Sequence, residues 1–165
     1  MLIRPAVAAD VDGIMVTHVA AIRETSSSAY KPDEIEAWTS GGMNPERYLP
    51  GITDGRMLVA VVGEAVVAFC EFDAATGEVL GMFVDPLHLR RGIGRGLLQT
   101  VEARALQRGL ERLHLQSTLN AIEFYRANGF VVDEMALFRL RSGVSVPCAV
   151  MHKLSLIHIS EPTRH

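Results

Sequence analysis

Cysteine is scarce in this chain. Its two cysteines, Cys70 and Cys148, each lie within an apolar segment, so neither a disulfide scaffold nor a zinc or other metal site is expected. A block of like-sign charge is missing too. Lysine and arginine number 16 against 19 aspartates and glutamates, for a net charge of −3. Nucleic acid calls for a basic stripe, so it is not expected as a partner. No apolar run approaches the length of a membrane span, the stretch from Met57 to Val62 being strand-sized. Arg4, Asp10 and Asp12 interrupt the N-terminus, where a secretory leader would be apolar. These absences leave a cytoplasmic protein with no membrane partner as the expectation.

What is present suffices for one domain. A chain of 165 residues can bury most of its unfolded-state apolar surface without staples. Its 48% hydrophobic and 21% charged residues are ordinary values for a globular protein. Residues 2–4 read as a short strand closed by Pro5. From residue 8 to about 23, Val11, Ile14, Met15, His18, Val19 and Ile22 recur at spacings of three and four, the signature of one helix face. Thr25 and the serines at 26–28 are expected to break that helix. A second helix is expected from Pro32, with Asp33, Glu34 and Glu36 in its first turn and a stop at Gly41-Gly42.

The apolar runs 57–62 and 66–72, separated by Gly63-Glu64-Ala65, predict a hairpin. Residues 78–84 predict a third strand, closed by Asp85-Pro86. A helix is expected from about Leu97 to Arg108, with Leu98, Val101, Ala105 and Leu106 inward and Gly109 at its end. Further strands are expected at 113–117, 135–140 and 146–154, with a short helix at 121–128. The reading is a mixed α/β domain over residues 1–154. Residues 155–165, with Pro162 among them, do not continue the pattern and are expected to be a non-native or disordered tail.

The segment from Val84 to Leu98 carries the chemistry. A strand ends, Arg90, Arg91 and Arg95 alternate with Gly92, Gly94 and Gly96, and a helix begins. Glycines let backbone approach a ligand, and free N–H groups at a helix N-terminus bind an anion such as a pyrophosphate. A P-loop would need a Gly-Lys-Ser/Thr sequence, which is absent here. A dinucleotide loop would place its third glycine one residue later.

The run Leu89-Arg90-Arg91-Gly92-Ile93-Gly94 resembles the acetyl-CoA-binding motif Q/R-x-x-G-x-G/A of the GNAT superfamily of N-acetyltransferases. Leu89 departs from the pattern, so one side-chain contact is expected to be absent. The segment from Asn120 to Phe130, with Phe124-Tyr125 and Gly129-Phe130, resembles a second motif of that family. The resemblance implies a mostly antiparallel sheet, splayed at the cofactor site and flanked by helices, with acetyl-CoA as cofactor.

On that resemblance, Met82, Phe83 and Val84 would hydrogen-bond the pantetheine arm, and the segment Leu89, Arg90, Arg91, Gly92, Ile93, Gly94, Arg95 and Gly96 would hold the diphosphate. A backbone N–H at the strand would polarise the thioester carbonyl, a device worth ~3 kcal/mol. Asn120 would anchor the cofactor or the start of its helix. Tyr125 would protonate the leaving thiolate, since a phenol of pKa ~10 can serve a thiolate of pKa ~8.5; packing as a core aromatic is its other reading. Glu78, then Glu71, are the candidates for the base that takes the amine's proton. His18, His114 and His152 are expected to serve packing rather than catalysis.

Tyr30, Glu34, Trp38 and Glu78 are the candidate acceptor-binding residues. Glu24, Asp33, Glu34, Glu36, Glu46, Asp133 and Glu134 would attract a polycationic amine if they face the cleft. An aminoglycoside is one such amine. The tail resembles read-through of a sequencing adaptor, as on gene fragments from environmental DNA, where antibiotic resistance is a usual selection. The leading expectation is transfer of an acetyl group to a small-molecule amine by direct attack in a ternary complex. A protein or peptide acetyltransferase and a non-catalytic CoA-binding domain remain as alternatives, as do a monomer and a homodimer.

Overall fold

The apolar runs at 57–62 and 65–73 are hydrophobic at nearly every position because both of their faces are covered. Leu58, Ala68, Cys70 and Phe72 pack on one side against a helix carrying Leu97, Leu98 and Val101. Met57, Val59 and Phe69 pack on the other side against Ile14 and Tyr48. The computed structural model describes residues 1–40 and 43–154. The helix stop expected at Gly41-Gly42 and the tail expected at 155–165 lie outside the described residues.

In chain order the elements are β1 (Leu2–Pro5), α1 (Val11–Ala20), α2 (Pro32–Thr39), α3 (Leu49–Thr53), β2 (Met57–Val62), β3 (Ala65–Asp73) and β4 (Glu78–Val84). They continue with α4 (Ile93–Gln107), β5 (Arg112–Ser117), α5 (Ile122–Ala127), β6 (Val131–Arg139) and β7 (Ser145–Leu154). The strands form one sheet in the order β1-β2-β3-β4-β5-β7-β6. Every neighbouring pair is antiparallel except β4 and β5. No described helix is long and apolar enough to cross a membrane.

The one parallel pair positions the site. It holds for only two residue pairs, Glu78 with His114 and Val79 with Leu115. Its end coincides with a bulge. On the β3 side the register passes from Phe72 opposite Val79 to Glu71 opposite Gly81, which leaves Leu80 unpaired and turned outward. An extra residue bends and twists its strand, so β4 leaves β5 there and a wedge opens between residues 80–84 and the end of β5. Gly81 is the sequence signal for this bulge, an isolated glycine inside an apolar run.

Three expectations need correction. The first helix does not break at Thr25: it widens to a π turn over Ala21–Thr25 and tightens to a 3-10 turn over Ser26–Ser28. The helix expected from Leu97 begins at Ile93 and buries Ile93 and Leu97, whereas Leu106 is exposed. Finally, a 3-10 turn at Pro45–Arg47 and α3 occupy a stretch for which no element was expected. Both carry proline in the first turn, where its missing N–H costs nothing.

Candidate active site

The wedge between β4 and β5 opens into two cavities. One, of about 410 Å³, runs from the wedge to the N-terminus of α4. All the residues expected to hold the cofactor line it except Arg91 and Gly96. Arg91 is exposed outside the cavity. Gly96 faces the first strand, where an added Cβ would stand 3.1 Å from Ile3 Cδ1.

The three glycines do different jobs. Gly92 has φ +78° and caps α4 in the left-handed conformation, and Arg90 two residues earlier has φ +63°. Together they turn the chain so that α4 starts facing the cavity. Gly94 lies in the first helical turn, not in a loop as the spacing predicts. Its value is clearance, since a Cβ there would lie 2.9 Å from Phe124 Cζ. Gly96 N–H is the first to find a helical carbonyl, that of Gly92 at 3.0 Å. The N–H groups of Ile93, Gly94 and Arg95 precede any such partner and form an anion cradle at the positive end of the helix dipole.

Two buried polar atoms in this cavity lack partners among the described residues: His88 Nδ1 and Asn120 Oδ1. Asp85 Oδ2 is 3.7 Å from His88 Nδ1, too far for a hydrogen bond. Asn120 does not cap its helix, which begins behind Thr118 with no side-chain cap. Buried polar atoms are almost always satisfied, so these two, with the amide cradle, fit a ligand that is anionic at the cradle and carries hydrogen-bonding groups elsewhere. His88, with Thr25 at the end of the π turn and Ser26 at the start of the 3-10 turn, lines the cavity without having been expected. The π turn itself leaves no pattern in sequence.

The second cavity, of about 400 Å³, lies on the other side of the wedge, among the residues expected to meet the acceptor. It shares Met82, Phe83, Thr118 and Tyr125 with the first. Of the candidate acceptor and base residues, Tyr30, Trp38, Glu71 and Glu78 line it and Glu34 does not. The Glu34 carboxylate instead accepts the Lys31 N–H at 2.9 Å and caps α2. Glu24, Asp33, Glu36, Glu46, Asp133 and Glu134 also lie outside both cavities. Arg47, Arg139 and Arg141 line the acceptor side in their place, and no spacing in the sequence singles them out. Tyr30 closes the cleft. Its hydroxyl donates to Pro147 O at 2.6 Å and accepts Leu119 N–H at 3.0 Å, and its ring meets Trp38 edge-on at 5.2 Å.

Tyr125 stands where the cavities meet. Phe124 and Phe130 hold its ring edge-on at 5.3 and 5.5 Å. Burial, with a smaller contribution from Cys70, raises its pKa above the ordinary phenol value, so it keeps its proton well past neutrality. Core packing thus leaves Tyr125 a protonated phenol at the junction of the two cavities. Glu71 Oε2 accepts Arg56 Nε–H at 3.1 Å, whereas Glu78 has no ion pair among the described residues.

His18 borders the acceptor cleft and packs on Phe83 at 4.3 Å. Burial, helped by the Arg47 charge, pushes its pKa down to about 3, so it is neutral there. His114 and His152 bond Thr76 O at 3.2 Å and Asp133 Oδ1 at 2.7 Å, away from both cavities.

Known proteins share this arrangement. Residues 20–130 match the family model described as the acetyltransferase (GNAT) family. An uncharacterised N-acetyltransferase of Escherichia coli K12, YafP, is 25% identical over 121 residues, covering 73% of this chain and 75% of the relative. A GCN5-related N-acetyltransferase structure from Rhodopseudomonas palustris superposes with a TM-score of 0.86 at 22% identity, over 93% of this chain and 94% of that one. The PaiA N-acetyltransferase of Thermoplasma acidophilum, solved in complex with coenzyme A, gives 0.76 at 20% identity, over 93% and 98%. With the family's pattern spanning most of the sequence and the overall fold shared with solved members, the chain belongs to the GNAT acetyltransferases.

Proposed function

We propose that this acetyltransferase takes its acetyl group from acetyl-CoA and delivers it to the amine of a small molecule, both substrates being bound at once. The observation that carries the reading is the shared wall of Met82, Phe83, Thr118 and Tyr125, reached by one cavity from each side. Two substrates bound in those cavities have their reacting ends brought together, which replaces a bimolecular encounter by an oriented one. The coenzyme A found with the Thermoplasma protein supports the choice of cofactor. An acceptor side of about 400 Å³, closed by Tyr30 and Trp38, suits a small molecule better than an extended peptide.

When bound, acetyl-CoA supplies an activated acyl thioester; the protein's part is to hold and to move protons. The Ile93, Gly94 and Arg95 amides bind the diphosphate, with Arg90 and Arg95 adding charge, and the polar atoms of His88 and Asn120 face the rest of the cofactor. Backbone N–H groups of residues 82–84 on the wedge side, with no β5 partner, are placed to stabilise charge on a carbonyl oxygen. Tyr125 donates a proton to the departing thiolate. Glu78 takes the proton of the incoming amine, directly or through water, and Glu71, tied to Arg56, is second choice.

Thiol release from acetyl-CoA in the presence of amino acids, diamines, an aminoglycoside such as kanamycin, and peptides with free α-amines tests the reading. Turnover with small amines and not with peptides is expected. Tight binding of coenzyme A with no turnover on any amine would overturn it in favour of a binding domain.

A further inference from the structure

The acceptor cleft has an excess of positive charge that no ion pair among the described residues answers. Three arginines line it, Arg47, Arg139 and Arg141, against two carboxylates, Glu71 and Glu78. Glu71 is already bound by Arg56 at 3.1 Å. His18, the remaining titratable neighbour of Arg47 in the cleft, is neutral. Arg47, Arg139 and Arg141 form no ion pair among the described residues.

Arg47 is the informative member. It is half-buried, at the end of the 3-10 turn before α3. The one hydrogen bond of its side chain among the described residues goes to Met43 Sδ at 3.6 Å, a weak acceptor, and its guanidinium lies 5.9 Å from the Tyr48 ring centre. Burial pulls it below its ordinary pKa; Tyr48 and Glu71 act the other way, and Arg141 adds to the lowering. A guanidinium taken out of water beside a like charge, with most of its donors unused, is costly unless an anion meets it. Arg47 joins the cleft lining from the turn before α3, and Arg139 and Arg141 from the end of β6 and the turn after it; guanidinium groups pair best with a planar, two-oxygen anion.

We infer that the acceptor is a small amine that also carries a carboxylate, of amino-acid type, held by Arg47 and Arg141 while its nitrogen reaches the wall shared with the cofactor cavity. The inference rests on the acetyltransferase reading and narrows its substrate. A polycation would be repelled by the same three arginines.

The chain's single tryptophan, Trp38, lines this cleft and supplies a reporter that needs no catalysis. Tryptophan fluorescence of the full chain, saturated with coenzyme A, is titrated with amino acids other than tryptophan and tyrosine, with the carboxamide of each, and with kanamycin. At least one acid is expected to bind about tenfold or more tightly than its carboxamide, the scale of a lost charge-assisted pair. Arg141 is exposed in a turn, so Arg141→Gln leaves the fold intact; it should cancel that preference, and Arg47→Lys should keep part of what Arg47→Gln loses. Carboxamides or kanamycin binding as tightly as the acids, or an Arg141→Gln protein with the preference intact, would overturn the inference. Acetylation of carboxamides or polyamines alone would overturn it and leave the acetyltransferase reading standing. Carboxylate binding without acetylation of any amine would overturn that reading, and the inference with it.

Discussion

The two cavities that meet at Tyr125 are built from different materials. The cofactor side is drawn mainly from two stretches of chain, 82–95 and 118–125, with the π turn completing it, and main-chain amides do much of its work. The acceptor side is gathered from more of the chain: β4 and the β6–β7 hairpin supply the runs 78–83 and 138–142, and α1, α2, the turn before α3, β3 and β5 add one or two residues each. A backbone site depends on where the chain turns and tolerates changes of side chain. A side-chain site depends on which residue stands at each scattered position.

Substitutions can break this contrast or sharpen it. The largest effect is expected at the junction. Tyr125→Phe keeps the packed ring and removes the proton donor, so kcat should fall about 100-fold with little change in acetyl-CoA affinity. An unchanged kcat would leave Tyr125 only its packing role. Glu78→Gln should cost about tenfold or more in rate at acid pH and progressively less as pH rises, because an amine that is already deprotonated needs no base. A loss equal at every pH would assign Glu78 to structure.

On the cofactor side alone, Gly94→Ala sets a methyl against Phe124 and should weaken coenzyme A binding about tenfold, at an overpacking cost of about 1–3 kcal/mol. Acceptor affinity, read by Trp38 fluorescence, should hardly move. Equal losses on both sides would show that the cavities are not separable.

The smallest effect belongs to neither cavity. Asp10 accepts two hydrogen bonds from Arg4, at 2.7 and 3.0 Å, and one from Val7 N–H at 2.8 Å. The Arg4 hydrogen bonds chiefly, then Val7, hold its carboxyl below its usual 3.8 against the opposing effect of burial. A carboxylate depressed in the native state contributes stability above its unfolded pKa and loses it as pH falls through the native one. Asp10→Ala should cost about 1 kcal/mol at neutral pH, by chemical denaturation, with the difference shrinking in acid. Both binding constants should stay as they are.

The same contrast decides what was legible in the sequence. The hairpin at 57–73, the third strand and the glycine-rich cradle are local patterns, and each is found close to where the periodicity puts it. The start of α4 is displaced by four residues because Gly94 and Gly96 read as loop formers, whereas here they are helical residues that let Phe124 and Ile3 approach. Gly81 marked the bulge, but a glycine in a strand does not say which way the strand will bend. The acids near the second helix were counted by charge alone. The structure spends Glu34 on a cap and leaves the others outside the cavities, while arginines distant in sequence converge on the cleft. Which charges share a cavity is a long-range property, and no spacing rule carries it.

The early end of the β4–β5 ladder has one more consequence. Half of the amides of an antiparallel strand point away from its partner, so beyond Val79 the inner edge of β4 offers peptide groups to any slender, amide-bearing visitor, which can lie there as a guest strand. Recognition of that kind is blind to what projects from Met82, Phe83 and Val84.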